Sequence, residues 1–229
     1  MDVGALTNNY LTESWFQVDA IDLNPQHPSV TKADFFDYTR SIALNGRGAG
    51  PMSAKGKEKS GEEKDDSTTN LKQKYDVVVL SLVLNFVGDP RQRGEMLMRC
   101  SRIIAEGGYL FLVLPLACIT NSRYLDHSLF VRLMKKLRFD LHSNKESNKL
   151  CFYIFRRQQA GGTTKEADEA NFGKRALCKG GKERNNFCIL LQSHGGGNQQ
   201  QQQQHKNKNK GKKGNNKQNV KRGKGRQTK

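Results

Sequence analysis

Two nearly unbroken apolar runs, YDVVVLSLVLNFV at 75–87 and GYLFLVLPL at 108–116, limit the fold most. A strand with one wet face alternates apolar and polar residues, whereas a run with few polar interruptions belongs to a strand covered on both faces, as in a parallel sheet packed between helices. Segments of helical period separate the runs. In PRQRGEMLMRCSRIIA, residues 90–105, Met96, Leu97, Cys100, Ile103 and Ile104 share one stripe, with Arg91, Arg93, Glu95 and Arg102 largely opposite. Asp89 stands as a cap before Pro90, and Glu106-Gly107-Gly108 ends the helix. A second helix over about 125–137 repeats the pattern with Leu129, Phe130, Leu133, Met134 and Leu137. Shorter strands are expected over 17–23 and over 30–36. Strand-helix-strand units joined by right-handed crossovers give an α/β fold, a doubly wound, mostly parallel sheet. For its antiparallel closing strands there are three candidates, FDLHSNKES, KLCFYIFRR and NNFCILLQ, where two are usual.

Two low-complexity insertions interrupt this pattern, at about 41–74 and 160–183, so one domain spans 1–193. Residues 194–229 form a Gln/Lys/Asn-rich tail, expected to be disordered because it has too little apolar surface to offset the entropy of ordering. Of the formal charge of +17, the stretch Gly195–Lys229 holds 11 lysines and arginines and no acid. A polyanion suits such a tail, since each phosphate neutralised releases counterions; a solubilising or nuclear-import role is the other reading. Five cysteines, with no CxxC and no histidine at metal-ligand spacing, fit a reducing intracellular setting and no metal. Apolar runs fall short of the roughly 18 residues of a membrane span, and no signal pattern opens the chain, so no membrane partner is expected.

In doubly wound sheets the ligand sits beyond the carboxyl ends of the strands. Asp22, followed by Leu23, ends the 17–23 strand where a carboxylate accepts the hydroxyls of an adenosine ribose. Upstream, Asp2-Val3-Gly4 reads as a first strand turning on a glycine, whose missing side chain lets backbone N–H groups approach a ligand. Asp34-Phe35 places an acid and an aromatic at the end of the third strand, suited to an adenine amine. A dinucleotide site would carry GxGxxG to cradle phosphate, and here a single glycine stands at the turn. The expected cofactor is therefore S-adenosylmethionine, which has no phosphate.

The run DVGAL…IDLNPQHP…ADFFDY…YDVVVLSLVLNFVGDPRQRGEML…GGYLFLVLPLACITNSRYLD…KERNNFCILL resembles the fungal-type nucleolar methyltransferases that modify adenine N1 in large-subunit (25S) ribosomal RNA. SLVLNFVGDPRQRGEML and LPLACITNSRYLD are its most specific pieces. The resemblance implies a seven-stranded Rossmann-like methyltransferase fold, S-adenosylmethionine as cofactor, large-subunit ribosomal RNA or the pre-ribosome as partner, and a monomer of the nucleus and nucleolus. Two departures stand out. Met1 falls almost inside the first strand, which implies that the family's N-terminal extension is absent, and position 6 is leucine rather than a further glycine.

In this fold class the end of the fourth strand faces the methyl group, and Ser81, Asn85 and Phe86 lie there. Asn85 can hydrogen-bond the adenine edge and Phe86 can stack on the base; alternatively Asn85 caps the following loop and Phe86 is core. Thr120-Asn121-Ser122-Arg123-Tyr124 suits either RNA contact or a helix cap. His27 is expected in a surface loop. A different class of function stays open, a non-catalytic S-adenosylmethionine sensor, since a related sensor family shares the DVG and strand-end acid pattern. The basic tail favours the enzyme.

Overall fold

The computed structural model describes residues 1–8, 10, 13–45, 74–159 and 171–192. All lie in the unit Met1–Ser193; the unit His194–Lys229, with the disorder expected of its composition, falls outside the described residues, as does 46–73 of the first insertion. In chain order the elements are β1 (Asp2–Val3), β2 (Ala20–Asp22), β3 (Thr31–Lys32), α1 (Phe35–Asn45), β4 (Tyr75–Ser81), α2 (Pro90–Ile103), β5 (Ile104–Pro115), α3 (Ala117–Thr120), α4 (His127–Lys136), β6 (Phe139–Glu146) and β7 (Leu150–Arg157). The strands form a seven-stranded sheet in the order β3-β2-β1-β4-β5-β7-β6. The first five run parallel, and β7 is antiparallel to both neighbours. Strand order reverses between β1 and β4, so the crevice of a doubly wound fold opens beyond Val3 and Ser81.

Register follows from the apolar runs. Val78 pairs with Leu110 and Leu80 with Leu112 across β4 and β5, and β7 sets Phe155 and Tyr153 beside the same two leucines. All six are fully buried, together with Leu97 of α2 and Phe130, Leu133 and Met134 of α4. The Phe130 ring meets those of Tyr153 and Phe155 edge-on, at 5.2 and 5.6 Å. At about 1.5–3 kcal/mol for each fully buried large apolar side chain, slipping the register by one residue would expose the whole set. The runs lead to the expectation of cover on both faces, yet Val77, Val79, Tyr109, Phe111, Phe152 and Ile154 on the opposite face are half-buried or exposed.

Local chemistry redraws several boundaries. The strand expected over 30–36 closes at Lys32 because Asp34 caps α1: its Oδ1 accepts from the N–H groups of Phe36 at 2.7 Å and Asp37 at 3.2 Å. The 75–87 run is strand only to Ser81, where Leu82 turns the chain at φ +59°. α2 carries the expected cap, with the Arg91 N–H donating to Asp89 Oδ1 at 2.8 Å and Pro90 opening the helix, but it ends at Ile103. Of the three closing candidates, NNFCILLQ is the one that forms no strand. Residues 185–191 instead cross α2 as a strap, with the Leu190 N–H on the Pro90 carbonyl and the Leu191 N–H on that of Phe172, each at 2.9 Å. Gly94 permits this crossing, since a Cβ there would lie 2.0 Å from the Leu190 carbonyl oxygen. Residues 171–183, expected as insertion, belong to the same structured segment.

Candidate functional site

Three strand ends meet at Gly4. Its φ of +76° is open to glycine and costly to other residues, and a Cβ at this position would stand 2.6 Å from Val83 Cγ2 and 4.0 Å from Asp22 Oδ2. The N–H of Gly4 donates to the Ile21 carbonyl at 2.8 Å, which holds the turn against β2. Asp22 ends β2 as expected. Its Oδ1 accepts the Asn24 N–H at 2.6 Å, and Oδ2, facing Gly4, has no partner among the described residues. Leu23 beside it is exposed, and Ser81 closes β4 opposite Val113 with its side chain exposed. The structure thus brings together Gly4, Asp22 and the turn after β4.

That turn, residues 82–88, carries the two residues expected at the acceptor. Asn85 Oδ1 is buried and accepts no hydrogen bond, the one such side-chain atom among the described residues. It therefore caps nothing, and an acceptor left this way costs about 1–3 kcal/mol until a donor reaches it. Phe86 is 83% exposed, which removes the core reading and leaves a free aromatic face on the rim.

Sequence reasoning missed the residue that holds the turn. Arg93, expected on the wet side of α2, is only 8% exposed. Its Nε donates to the Val87 carbonyl at 2.7 Å and Nη1 to that of Cys188 at 2.9 Å, while the guanidinium carbon lies 4.3 Å from the Phe187 ring centroid. Burial lowers its pKa, and arginine remains charged nonetheless. The one guanidinium joins the 82–88 turn, α2 and the strap. A lone arginine in a polar helix stripe gives no sign of this, because its partners are backbone carbonyls.

Asp34, just past the end of β3, gives Oδ1 to the α1 cap, and Phe35, at 4% exposure, is core with no free face for a base. Asp2 is half-buried in β1, where burial raises its carboxyl, and lines a cavity of about 440 Å³ with Tyr10, Trp15 and Phe16. In the 120–124 stretch, Ser122 is fully buried and donates to the Phe187 carbonyl, while Asn121 Nδ2 donates to that of Glu183 at 3.2 Å. Arg123 donates to Asn186 Oδ1 at 2.6 Å and to the Gly181 and Lys182 carbonyls, both at 3.1 Å. These groups seat the chain's own C-terminal segment. His27 is exposed in its loop, bonded to Ser29. Burial pushes the thiols up, Cys100 to about 12 and Cys151 to about 11, which leaves them without nucleophilic character.

A family model described as 25S rRNA (adenine(2142)-N(1))-methyltransferase, Bmt2, matches residues 1–43 and 65–189. The chain belongs to this family. A relative named 25S rRNA (adenine(2142)-N(1))-methyltransferase from Saccharomyces cerevisiae is 36% identical over 122 residues, 53% of this chain and 35% of the relative. A 25S rRNA adenine-N(1) methyltransferase from Schizosaccharomyces pombe is 28% identical over 200 residues, 83% of this chain and 60% of the relative. The chain therefore spans less than two thirds of either relative's length. Among solved structures, an S-adenosylmethionine-dependent methyltransferase from Methanosarcina mazei aligns over 38% of this chain and 60% of that one, at 20% identity and a TM-score of 0.31. The Bmt2 match includes Gly4, Asp22, Asn85, Phe86 and Arg93; it omits 44–64, inside the first expected insertion, and runs through the second.

Proposed function

We propose that this chain transfers a methyl group from S-adenosylmethionine to N1 of an adenine in large-subunit ribosomal RNA, the reaction its relatives are named for. The observation that carries the reading is Asn85 Oδ1, a buried acceptor without a donor, beside the exposed ring of Phe86 at the carboxyl end of β4. The residues at the strand ends fit the cofactor. Gly4 leaves a backbone concavity that a Cβ would fill, and the unengaged Asp22 Oδ2 beside it can accept a ribose hydroxyl. Leu23 adds apolar cover, and Ser81 can donate a hydroxyl from the end of β4. Bound S-adenosylmethionine supplies an electrophilic methyl group on a sulfonium.

Adenine N1 attacks with its own lone pair, so the site needs no strong base; it must hold an unpaired adenine in line and exclude its pairing partner. Once the Asn85 side chain turns out toward the base, its Oδ1 accepts from the exocyclic N6–H, which leaves N1 free. As N1 gains a carbon the ring becomes cationic and N6–H a stronger donor, so this hydrogen bond tightens toward the transition state. Phe86 stacks on the base. The setting proposed is the nucleolus, where the basic tail holds a polyanionic pre-ribosome.

The test incubates the chain with S-adenosylmethionine and large-subunit RNA, followed by nuclease digestion and mass spectrometry. One N1-methyladenosine per RNA is expected. Cofactor binding without any methyl transfer would replace this reading with the sensor.

A further inference from the structure

The segment 174–184 carries Lys174, Arg175, Lys179, Lys182 and Arg184 against a single acid, Glu183. None of these cations is paired with a carboxylate among the described residues; ion pairs such as Arg40–Asp37 and Arg99–Glu95 lie elsewhere. Instead the backbone holds part of them. Lys179 Nζ donates to the Ile119 and Thr120 carbonyls at 3.4 and 3.3 Å, and Arg184 Nε donates to that of Gly180 at 2.7 Å. Arg123, across from them, fixes the Gly181–Lys182 turn through two carbonyls. A carbonyl orients a cation without cancelling its charge. Lys174 and Lys182 are exposed and make no side-chain hydrogen bond or ion pair with a described residue, and the exposed Arg175 lies 5.6 Å from the Tyr124 ring. Leu177 between them is 70% exposed.

Position ties this patch to the candidate site. The patch is seated on the α3 segment that follows β5, Asn185 Nδ2 donating to the Ala117 carbonyl at 2.7 Å. The 82–88 turn follows β4, the parallel neighbour of β5, so both lie on the same rim of the sheet. Just downstream, Cys188 shares Arg93 with that turn.

We propose that Lys174, Arg175 and Lys182 form the docking surface for the RNA backbone that flanks the target adenine, with phosphates on the three cations and a base or sugar against Tyr124 and Leu177. The inference rests on the reading that the acceptor is RNA. It moves RNA docking from Asn121, Ser122 and Arg123, whose side chains are spent internally, to the segment they hold, with Tyr124 at its edge.

The test uses the full chain and a variant with Lys174→Gln, Arg175→Gln and Lys182→Gln. A control variant, Lys135→Gln, Lys136→Gln and Arg156→Gln, alters three exposed cations on the opposite rim. Binding of a single-stranded fragment of large-subunit RNA is measured as a function of salt, with cofactor affinity and methyl transfer on the same samples. Each phosphate neutralised on a single strand contributes about 0.7 to the log–log slope, so the first variant should lose about 2 from the slope and about a hundredfold in affinity near 0.1 M salt. Cofactor affinity should not move, and the control should keep the wild-type slope. An unchanged slope in the first variant, equal losses in both variants, or no RNA binding by the wild type would each overturn the surface. Wild type that binds RNA but transfers no methyl group would sink the functional reading instead, with the slopes still deciding the surface.

Discussion

Replacing Arg93 by methionine tests whether the turn bearing Asn85 is built as described. The guanidinium supplies two good hydrogen bonds to buried carbonyls, Val87 at 2.7 Å and Cys188 at 2.9 Å; a third contact, to Gly88 at 3.5 Å, sits at the limit and adds little. Methionine fills similar space and keeps a sulfur near Phe187, yet it leaves both carbonyls without a donor, at about 1–3 kcal/mol each. Sparing the desolvation of a buried charge offsets part of this. A net loss of about 2–4 kcal/mol follows, a large share of the roughly 5–15 kcal/mol that holds a domain together. Urea unfolding followed by far-ultraviolet circular dichroism should show the midpoint falling by about 1–2 M at an m-value of about 2 kcal/mol/M, with the slope unchanged. Arg93→Lys, which keeps the charge and one donor direction, should fall between the two proteins. A midpoint within about 0.25 M of wild type would mean that the turn and the strap hold without the guanidinium, and the buried clamp would be refuted.

Asp22→Ala should weaken S-adenosylmethionine binding about ten- to a hundredfold, the loss of one charge-assisted hydrogen bond to the free Oδ2; unchanged affinity in calorimetric titration would place the ribose contact elsewhere. Gly4→Ala forces a side chain into a positive φ, at about 1–2 kcal/mol, and against Val83 Cγ2, so it should lower the thermal midpoint. Adding Val83→Ala should recover the steric part, and no recovery would show that Val83 is not what Gly4 avoids. Removing Gly195–Lys229 should flatten the salt dependence of RNA binding by about 0.7 in log–log slope for each phosphate the tail neutralises, with cofactor affinity intact; an unchanged slope would leave the tail as a targeting device.

The sheet was legible because its signals are local and redundant. The runs at 75–87 and 108–116 have few polar interruptions, α2 announces itself with Asp89-Pro90, and Asp22, with Asn24 and Pro25 behind it, closes a strand. Errors fell where one residue type serves two local structures. Asp34 reads both as a strand-end acid and as a helix cap, and the cap ends the strand before the expected 36 because two N–H groups lie within reach of Oδ1. NNFCILLQ has the pattern of a strand, but β6 and β7 already complete the sheet, so its apolar residues Phe187, Cys188 and Ile189 are buried in a strap across α2 instead. The missed parts of the site depend on contacts far apart in sequence. Arg93 reaches Cys188 across 95 residues and Arg123 reaches Asn186 across 63, and neither pairing leaves a periodic or motif signal. The orphaned Asn85 Oδ1 is likewise a property of packing, invisible until the turn is built.

The central claim is that the turn after β4 orients an adenine edge toward the methyl donor through Asn85. Single-turnover methylation of an RNA carrying the target loop, run beside cofactor titration on wild type and Asn85→Ala, tests it most directly. The rate should fall about ten- to a thousandfold, the loss expected when a hydrogen bond that strengthens in the transition state is removed, while cofactor affinity stays within about twofold. Equal rates in the two proteins, or a loss of rate that only mirrors lost cofactor affinity and stability, would contradict the claim and take Asn85 out of the active site.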